Sequence, residues 1–391
     1  MSRPETVESN GGNGVVSGIP PEGGGKSAVG AVGARGILTP AVVVLTIGLI
    51  FVAVYLAAFH APRPHHLPVA VVGSAQTARA LQTDVNRVIP GGLKLNRVPN
   101  QSAALDAIEH RRAYGAMLAG NGDLTLLYAG ANGPAVVSLL ELTAGVTAKA
   151  TRTSLRTRDI LPATAGDSRS LSIFYAAFGL VLAGFLFGTM TYQVAPRLKL
   201  RQRLLSLLIF GVAGGLLIAL IAKAFSAVPG PFLGLAGVIA LMAMAAGGFS
   251  MSFVRIFGGA GASLAAVILL VLGNSTSGGV APTHFLPAWL YPLSEILPVG
   301  PGVRALYGLA YFHDDGLITA VVVLIAWIVA AAAALYLRDA FDVRKHKAPA
   351  QCHVAAAPWG IRFSHSAAPV QASVAGNGAR SSLTQSTESP H

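Results

Sequence analysis

Charge is what this chain has least of. Only 11% of its 391 residues are Asp, Glu, Lys or Arg, about half the usual quarter, and 53% are hydrophobic. That leaves too little polar surface to cover a soluble fold of this length. Cysteine is almost missing too. Cys352 stands alone in a polar tail, so no intrachain disulfide framework exists. The chain also lacks a G-x-x-x-x-G-K-[ST] loop and a G-x-S-x-G elbow, which excludes ATP binding in the P-loop manner and the nucleophile-elbow route to hydrolysis. His60, His65, His66 and His110 are not spaced with cysteine or carboxylate as metal ligands are. No catalytic, metal or cofactor site is expected, and an enzyme is disfavoured because His, Asp and Glu do not cluster.

Present instead are long runs without a single charge. Residues 171–194, 204–222, 233–253 and 317–337 form four such runs, 37–59 another, and 256–273 a shorter one rich in glycine and alanine. About 20 apolar residues at ~1.5 Å each cross a hydrocarbon core of ~30 Å. The pattern predicts an α-helical polytopic membrane protein with six transmembrane helices. Run 37–59 is too long and starts too late for a signal peptide, so it reads as an uncleaved first span. The net charge of +12 could suggest nucleic acid. Much of it flanks the spans, however, as topology requires, and nucleic acid is not an expected partner.

Taken in order, residues 1–36 are rich in Gly, Ser and Pro and predict a disordered cytoplasmic tail. Segment 60–170 is the one sizeable polar stretch. Residues 67–73, 93–98, 114–119 and 124–128 read as strands. Residues 75–89, a helix capped by Ser102, and 134–150 read as helices. The Asn121-Gly122-Asp123 turn predicts a hairpin between the last two strands. The result is a small α/β domain inserted between the first and second spans. Its acids Asp84, Asp106, Glu109 and Asp123 read as solvated surface. Residues 171–337 form a five-helix transmembrane domain, and 338–391 a mostly disordered cytoplasmic tail.

Short links orient the chain. Link 196–203 holds Arg197, Lys199, Arg201 and Arg203 without an acid, and basic links alternate along the sequence. Both termini are therefore expected in the cytoplasm of a plasma-membrane protein, with the α/β domain outside. Lys223 is expected to snorkel from the end of the third span. The G-x-x-x-G pairs Gly184–Gly188 and Gly211–Gly215 read as helix packing. Link 274–316 is unusual: too apolar for solvent, too rich in proline to span. It predicts an interfacial or re-entrant element, with Trp289 and Tyr291 at headgroup level.

Within that link, GNSTSGGVAPTHFLPAWLYPLSEILPVGPGVRALY (residues 273–307) resembles the last outer loop of ABC-type export permeases of the type-2 membrane family, in particular their phage-infection-protein-like actinobacterial relatives. A Ser-Gly-Gly, a Leu-Pro, a second Leu-Pro and an arginine recur there in this order. Here they are Ser277-Gly278-Gly279, Leu286-Pro287, Leu297-Pro298 and Arg304. The order of one span, a large α/β domain and five spans is similar as well. The resemblance covers roughly residues 37–340. It implies a homodimer or heterodimer of six-span halves, embedded in membrane lipids and powered by a separate ATP-binding subunit. Its substrate would be lipid-like, hydrophobic or a cell-envelope component. Link 196–203 would meet the ATPase, Leu286, Pro287, Leu297, Pro298 and Arg304 would form an outer gate, and the second and fifth spans would line the dimer interface. The alternative is a non-transporting envelope protein whose outer domain binds a partner or cell-wall ligand.

Overall fold

A computed structural model describes residues 34–60, 63–120, 122–167 and 169–347. Residues 1–33 and 348–391 of the expected tails, Cys352 and Asn121 of the hairpin turn lie outside these residues, whereas 34–36 and 338–347, expected in the tails, belong to the first and last helices. The fold is 69% helical with a small mixed sheet. Five helices are long and apolar enough to cross a membrane: residues 38–59, 172–194, 200–224, 232–257 and 317–343. The chain is thus a multi-pass membrane protein.

Helix α1 (Ala34–Phe59) leads into the α/β domain, built from β1 (Leu67–Val72), α2 (Ala75–Val88), β2 (Leu93–Val98), α3 (Gln101–Glu109), β3 (Gly115–Ala119), β4 (Asp123–Tyr128), α4 (Pro134–Thr151) and β5 (Ser154–Asp159). The sheet order is β2-β1-β3-β4-β5. β1 runs parallel to β2 and β3, β3 and β4 are antiparallel, and β4 and β5 are parallel. Alternation along β1 decides how both faces are covered. Leu67, Val69 and Val71 pack with Leu81 and Val85 of α2 and with Val136 and Leu140 of α4. Ala70 faces the other way, into a core shared with Ile108 of α3 and with the membrane helices. A strand buried on both sides reads as a near-continuous apolar run, as LPVAVV does.

Two local details differ from expectation. The cap of α3 is Asn100, whose side chain accepts from the Ala103 N–H; Ser102 instead donates to Asn100 Oδ1. The fifth strand, SLRTRD, is not legible as a strand because it is an exposed edge in which only Leu155 is partly covered. Arg156 and Arg158 there guard an open edge against further pairing.

The remaining elements are α5 (Ser172–Val194), α6 (Leu200–Ala224), α7 (Phe232–Phe257), α8 (Gly259–Ala266), α9 (Tyr291–Ile296), α10 (Val299–Tyr311) and α11 (Leu317–Lys347). Run 256–273 folds as α8 continued by a π-helical segment, Val267–Gly273. At ~1.5 Å per residue, 15 residues cover only about 22 Å, so it is a short apolar helix where a full span was expected. Helix α7 is the hub: 67% of its central window is buried, against 11% for α1. Both glycine pairs face it. A Cβ on Gly184 would sit 2.8 Å from the Ala243 carbonyl oxygen, and one on Gly215 2.9 Å from the Ala240 nitrogen. Lys223 donates to the Gly230 carbonyl across the α6–α7 turn.

Link 274–316 is neither a flap nor a coil. Its α10 half is buried, with Val299, Val303 and Leu306 in the bundle core. Phe285 enters the core of the α/β domain beside Leu126 and Leu140. Trp289 and Tyr291 remain 61% and 43% exposed. One side chain in the bundle half of the sequence thereby completes a core formed more than a hundred residues earlier. Phe285→Ala should therefore destabilise the α/β domain by about 3–5 kcal/mol. Proteolysis of the full chain in detergent checks this: cleavage at Arg97 should accelerate strongly, and an unchanged rate would contradict the shared core.

Candidate functional site

The polar residues of this apolar chain gather where the α/β domain meets the bundle. Helix α3 ends at His110, and Arg111 turns the chain with φ 52°, a left-handed conformation that L residues seldom adopt. Its guanidinium carbon then lies 5.9 Å from the Tyr114 ring centroid, 5.4 Å from that of Tyr307 and 4.9 Å from that of Phe312. Arg111 has no carboxylate partner among the described residues. The short 3-10 turn Thr283–Phe285 brings His284 edge-on to Tyr114, with centroids 5.3 Å apart. The His284 carbonyl accepts from the His65 N–H at 2.8 Å, tying the turn to the entry of β1. From α10, Arg304 donates through Nε and Nη2 to Asp315 at 3.0 and 3.1 Å.

Arg111, Tyr114, His284 and Arg304 line one cavity of about 90 Å³, with Glu295 and Asp315 also on its wall. A smaller cavity on the other side of Arg111 is lined by Asn132, Arg169 and Tyr307. Tyr307 lines both, and its Oη donates to the Ser170 carbonyl at 2.6 Å. Two buried side-chain atoms here have no partner among the described residues, His284 Nδ1 and Asn132 Oδ1. Burial pushes the His284 pKa below its ordinary value, and the cations of Arg111 and Arg304 push it further down. Burial raises the Tyr114 phenol against the pull of the same two arginines. The Asp315 carboxylate compensates the Arg304 charge directly. Beside the cavity, His110 and His313 stack at 5.2 Å, and Glu109 reaches His313 at 3.9 Å.

Of the five residues expected to form an outer gate, only Arg304 reaches the cavity. Leu286 packs with Leu290 and Ala58 of α1. Leu297 and Pro298 are buried and Pro287 is partly covered. Arg111, Tyr114 and His284 carried no signal in the sequence, since about 170 positions separate Arg111 and Tyr114 from the histidine turn and no short motif marks either. Of the acids expected as solvated surface, Asp84 pairs with Arg87, Asp106 with Arg112 and Asp123 with Arg156, while Glu109 reaches across to His313.

At the opposite end of the bundle, Arg197, Lys199 and Arg201 are exposed, but Arg203 is not. Arg203 is 4% exposed and donates to the carbonyls of Thr191, Ala195, Pro196 and Leu198. Its guanidinium also lies 3.9 Å from the Tyr192 ring centroid. One side chain thus ties the last turn of α5, through Thr191, to the carbonyls of Ala195, Pro196 and Leu198 in the loop that follows, so Arg203 shapes the loop from within. Nearby, Arg255 bridges α7 to Asp339 and Asp342 of α11, a clamp that reading basic residues alone overlooks.

Among the described residues, no group of three or more His, Cys, Asp or Glu could hold a metal ion. No protein-family model, curated protein or solved structure matches the chain.

Arg203→Lys should lower stability by about 2–3 kcal/mol, because one ammonium cannot replace a forked donor to four carbonyls. Arg201→Lys should melt like the parent; equal behaviour of the two variants would contradict the capping role. For His284, a folded-state pKa below the unfolded value means that stability is full above about pH 6.5 and falls as pH drops through that range. Melting temperatures measured from about pH 7.5 to 5.5 should fall less in His284→Gln than in the parent, and parallel curves would contradict it.

Proposed function

We propose that the chain is the membrane permease subunit of an ABC-type exporter, moving a lipid-like or hydrophobic substrate or a cell-envelope component outward. In this reading the short apolar helix 259–273 and the returning α9–α10 element together act as the fifth of six spans. The termini face the cytoplasm and the α/β domain lies outside. The chain lacks an ATP-binding loop, so energy comes from a separate subunit. Two such chains, or one and a homologous partner, form the working unit in the membrane.

The observation that carries this reading is the link between α5 and α6. Arg203 fixes it from inside, and Arg197, Lys199 and Arg201 stand exposed on it. Charge placed only for topology needs no rigid platform. A docking knob does, because preorganised donors lose less entropy on binding. A bare anchor for an outer binding domain would need one span, so the non-transporting alternative leaves the remaining spans without a purpose.

A photo-crosslinking residue in place of Arg201, in membranes of the native host, tests the docking. The expected adduct is a protein carrying a G-x-x-x-x-G-K-[ST] loop; adducts with lipid alone would overturn the reading. Orientation is tested separately after Cys352→Ser. Arg158→Cys should react with an impermeant thiol reagent in intact cells, whereas Arg201→Cys should react only after lysis. Labelling of both from outside would sink the topology.

A further inference from the structure

The cavity at the seam between the α/β domain and the bundle holds an imbalance that the transport reading does not use. Arg111 is partly buried against three aromatic rings. Such rings favour a cation through their faces, yet among the described residues the N–H edges of the guanidinium have no acceptor. Arg304 engages Asp315 through Nε and Nη2, and its Nη1 has no acceptor among the described residues. His284 Nδ1 is buried and unpartnered on the same wall. Buried polar atoms are satisfied in more than about nine cases in ten, so the buried His284 Nδ1, set beside two guanidinium groups on one cavity wall, calls for a partner.

We propose that this cavity binds one small oxyanion group, a phosphate or a carboxylate. Arg111 is its main holder, and the free edge of Arg304 and the His284 ring complete the shell. Charge favours an anion over a cation. Asp315 pairs with Arg304, and Glu295, on the same wall, also acts on Arg304, so Arg111 is the cation with no carboxylate bridge among the described residues. Size limits the ligand further. About 90 Å³ holds roughly three waters at ~30 Å³ each, enough for one anionic group and far below the ~300–1,000 Å³ of a drug-sized pocket. The body of any larger ligand must lie outside. Loop 286–297, which borders the cavity through Tyr291, exposes Trp289, so an anionic lipid headgroup and a soluble anion could both supply the group.

The inference does not rest on transport, and its test involves binding alone. The full chain is placed in phosphatidylcholine nanodiscs and melted with increasing inorganic phosphate. In a second arm, phosphatidylglycerol replaces part of the phosphatidylcholine and phosphate is left out. At ten times the half-saturating concentration, a one-site ligand should raise the parent's melting temperature by about 2–4 °C. A rise in the second arm alone assigns the site to a lipid headgroup, and a rise with phosphate assigns it to a soluble anion. In either case Arg111→Gln should abolish the rise, and Arg97→Gln, on an exposed strand position, should keep it. Arg111→Lys retains the cation over the rings and should weaken half-saturation about tenfold through loss of the two-pronged donor. This variant decides the matter if Arg111→Gln does not fold. No rise in either arm overturns the proposal, as does a rise that Arg111→Gln and Arg111→Lys leave unchanged.

Discussion

In hydrocarbon a leucine gains little by leaving lipid for a neighbouring helix, so helices hold together where their backbones can approach. Along α7 that approach occurs on two sides. Gly184 and Gly188 bring α5 against it, with a Cβ at Gly188 placed 2.7 Å from Ser250 Cβ. Gly211 and Gly215 bring α6 against it, with a Cβ at Gly211 placed 3.1 Å from the Ala240 carbonyl oxygen. Backbone contact of this kind fixes both distance and rotation. Ser252 of α7 adds a hydrogen bond to the Ala331 carbonyl of α11 at 3.0 Å, and Arg255 clamps the same pair of helices at their ends. α7 therefore sets the frame against which the other elements are placed.

The domain end of the bundle depends on that frame. α5 starts beneath the sheet, with Asp167 accepting from the N–H groups of Leu171 and Ser172 at 3.0 Å. α10, held against α7 by Gly302 on Met242, carries Tyr307 to Ser170 and Arg304 to the seam cavity. The apolar side of α3 then closes on the bundle, and Phe285 enters from the link to fill the opposite core of the sheet. The α/β domain is thus continuous with the membrane helices through two cores. A ligand at the seam would touch the turn after α3, α10 and the 283–285 turn together, and the relative freedom of those three elements would change with occupancy.

The spans, the strand-helix order of the α/β domain and the packing role of the glycine pairs were legible because each is written in local periodicity or in a run of one composition. LPVAVV announces a buried strand by its own residues, and 204–222 announces a span by its length. The short helix 259–273 shows where that logic stops: its composition reads as a span, but a break at Gly258 with φ 63° leaves it too short. The edge strand β5 was missed because its charges mask the alternation. Arg203 looked like one basic residue among four, since its burial depends on the fold of the loop around it. The seam cavity was wholly hidden. Arg111, His284 and Arg304 meet only in three dimensions, and nothing within a few residues of any of them marks it as part of a site.

The dependence of the whole on α7 is tested most directly by comparing glycines that touch its backbone with glycines that face open surroundings. Gly188 and Gly215 touch the α7 backbone, whereas a Cβ at Gly179 of α5 or Gly237 of α7 meets nothing within 4 Å. Thermal melting of the full chain in detergent should separate the pairs. Gly188→Leu and Gly215→Leu must push helices apart and should melt well below the parent, by more than the ~1–3 kcal/mol typical of overpacking. Gly179→Leu and Gly237→Leu replace a poor helix former on an open surface and should melt at or slightly above the parent temperature. If Gly188→Leu and Gly215→Leu melted like the parent, or all four variants fell together, the close approach at α7 would not be what holds this protein together.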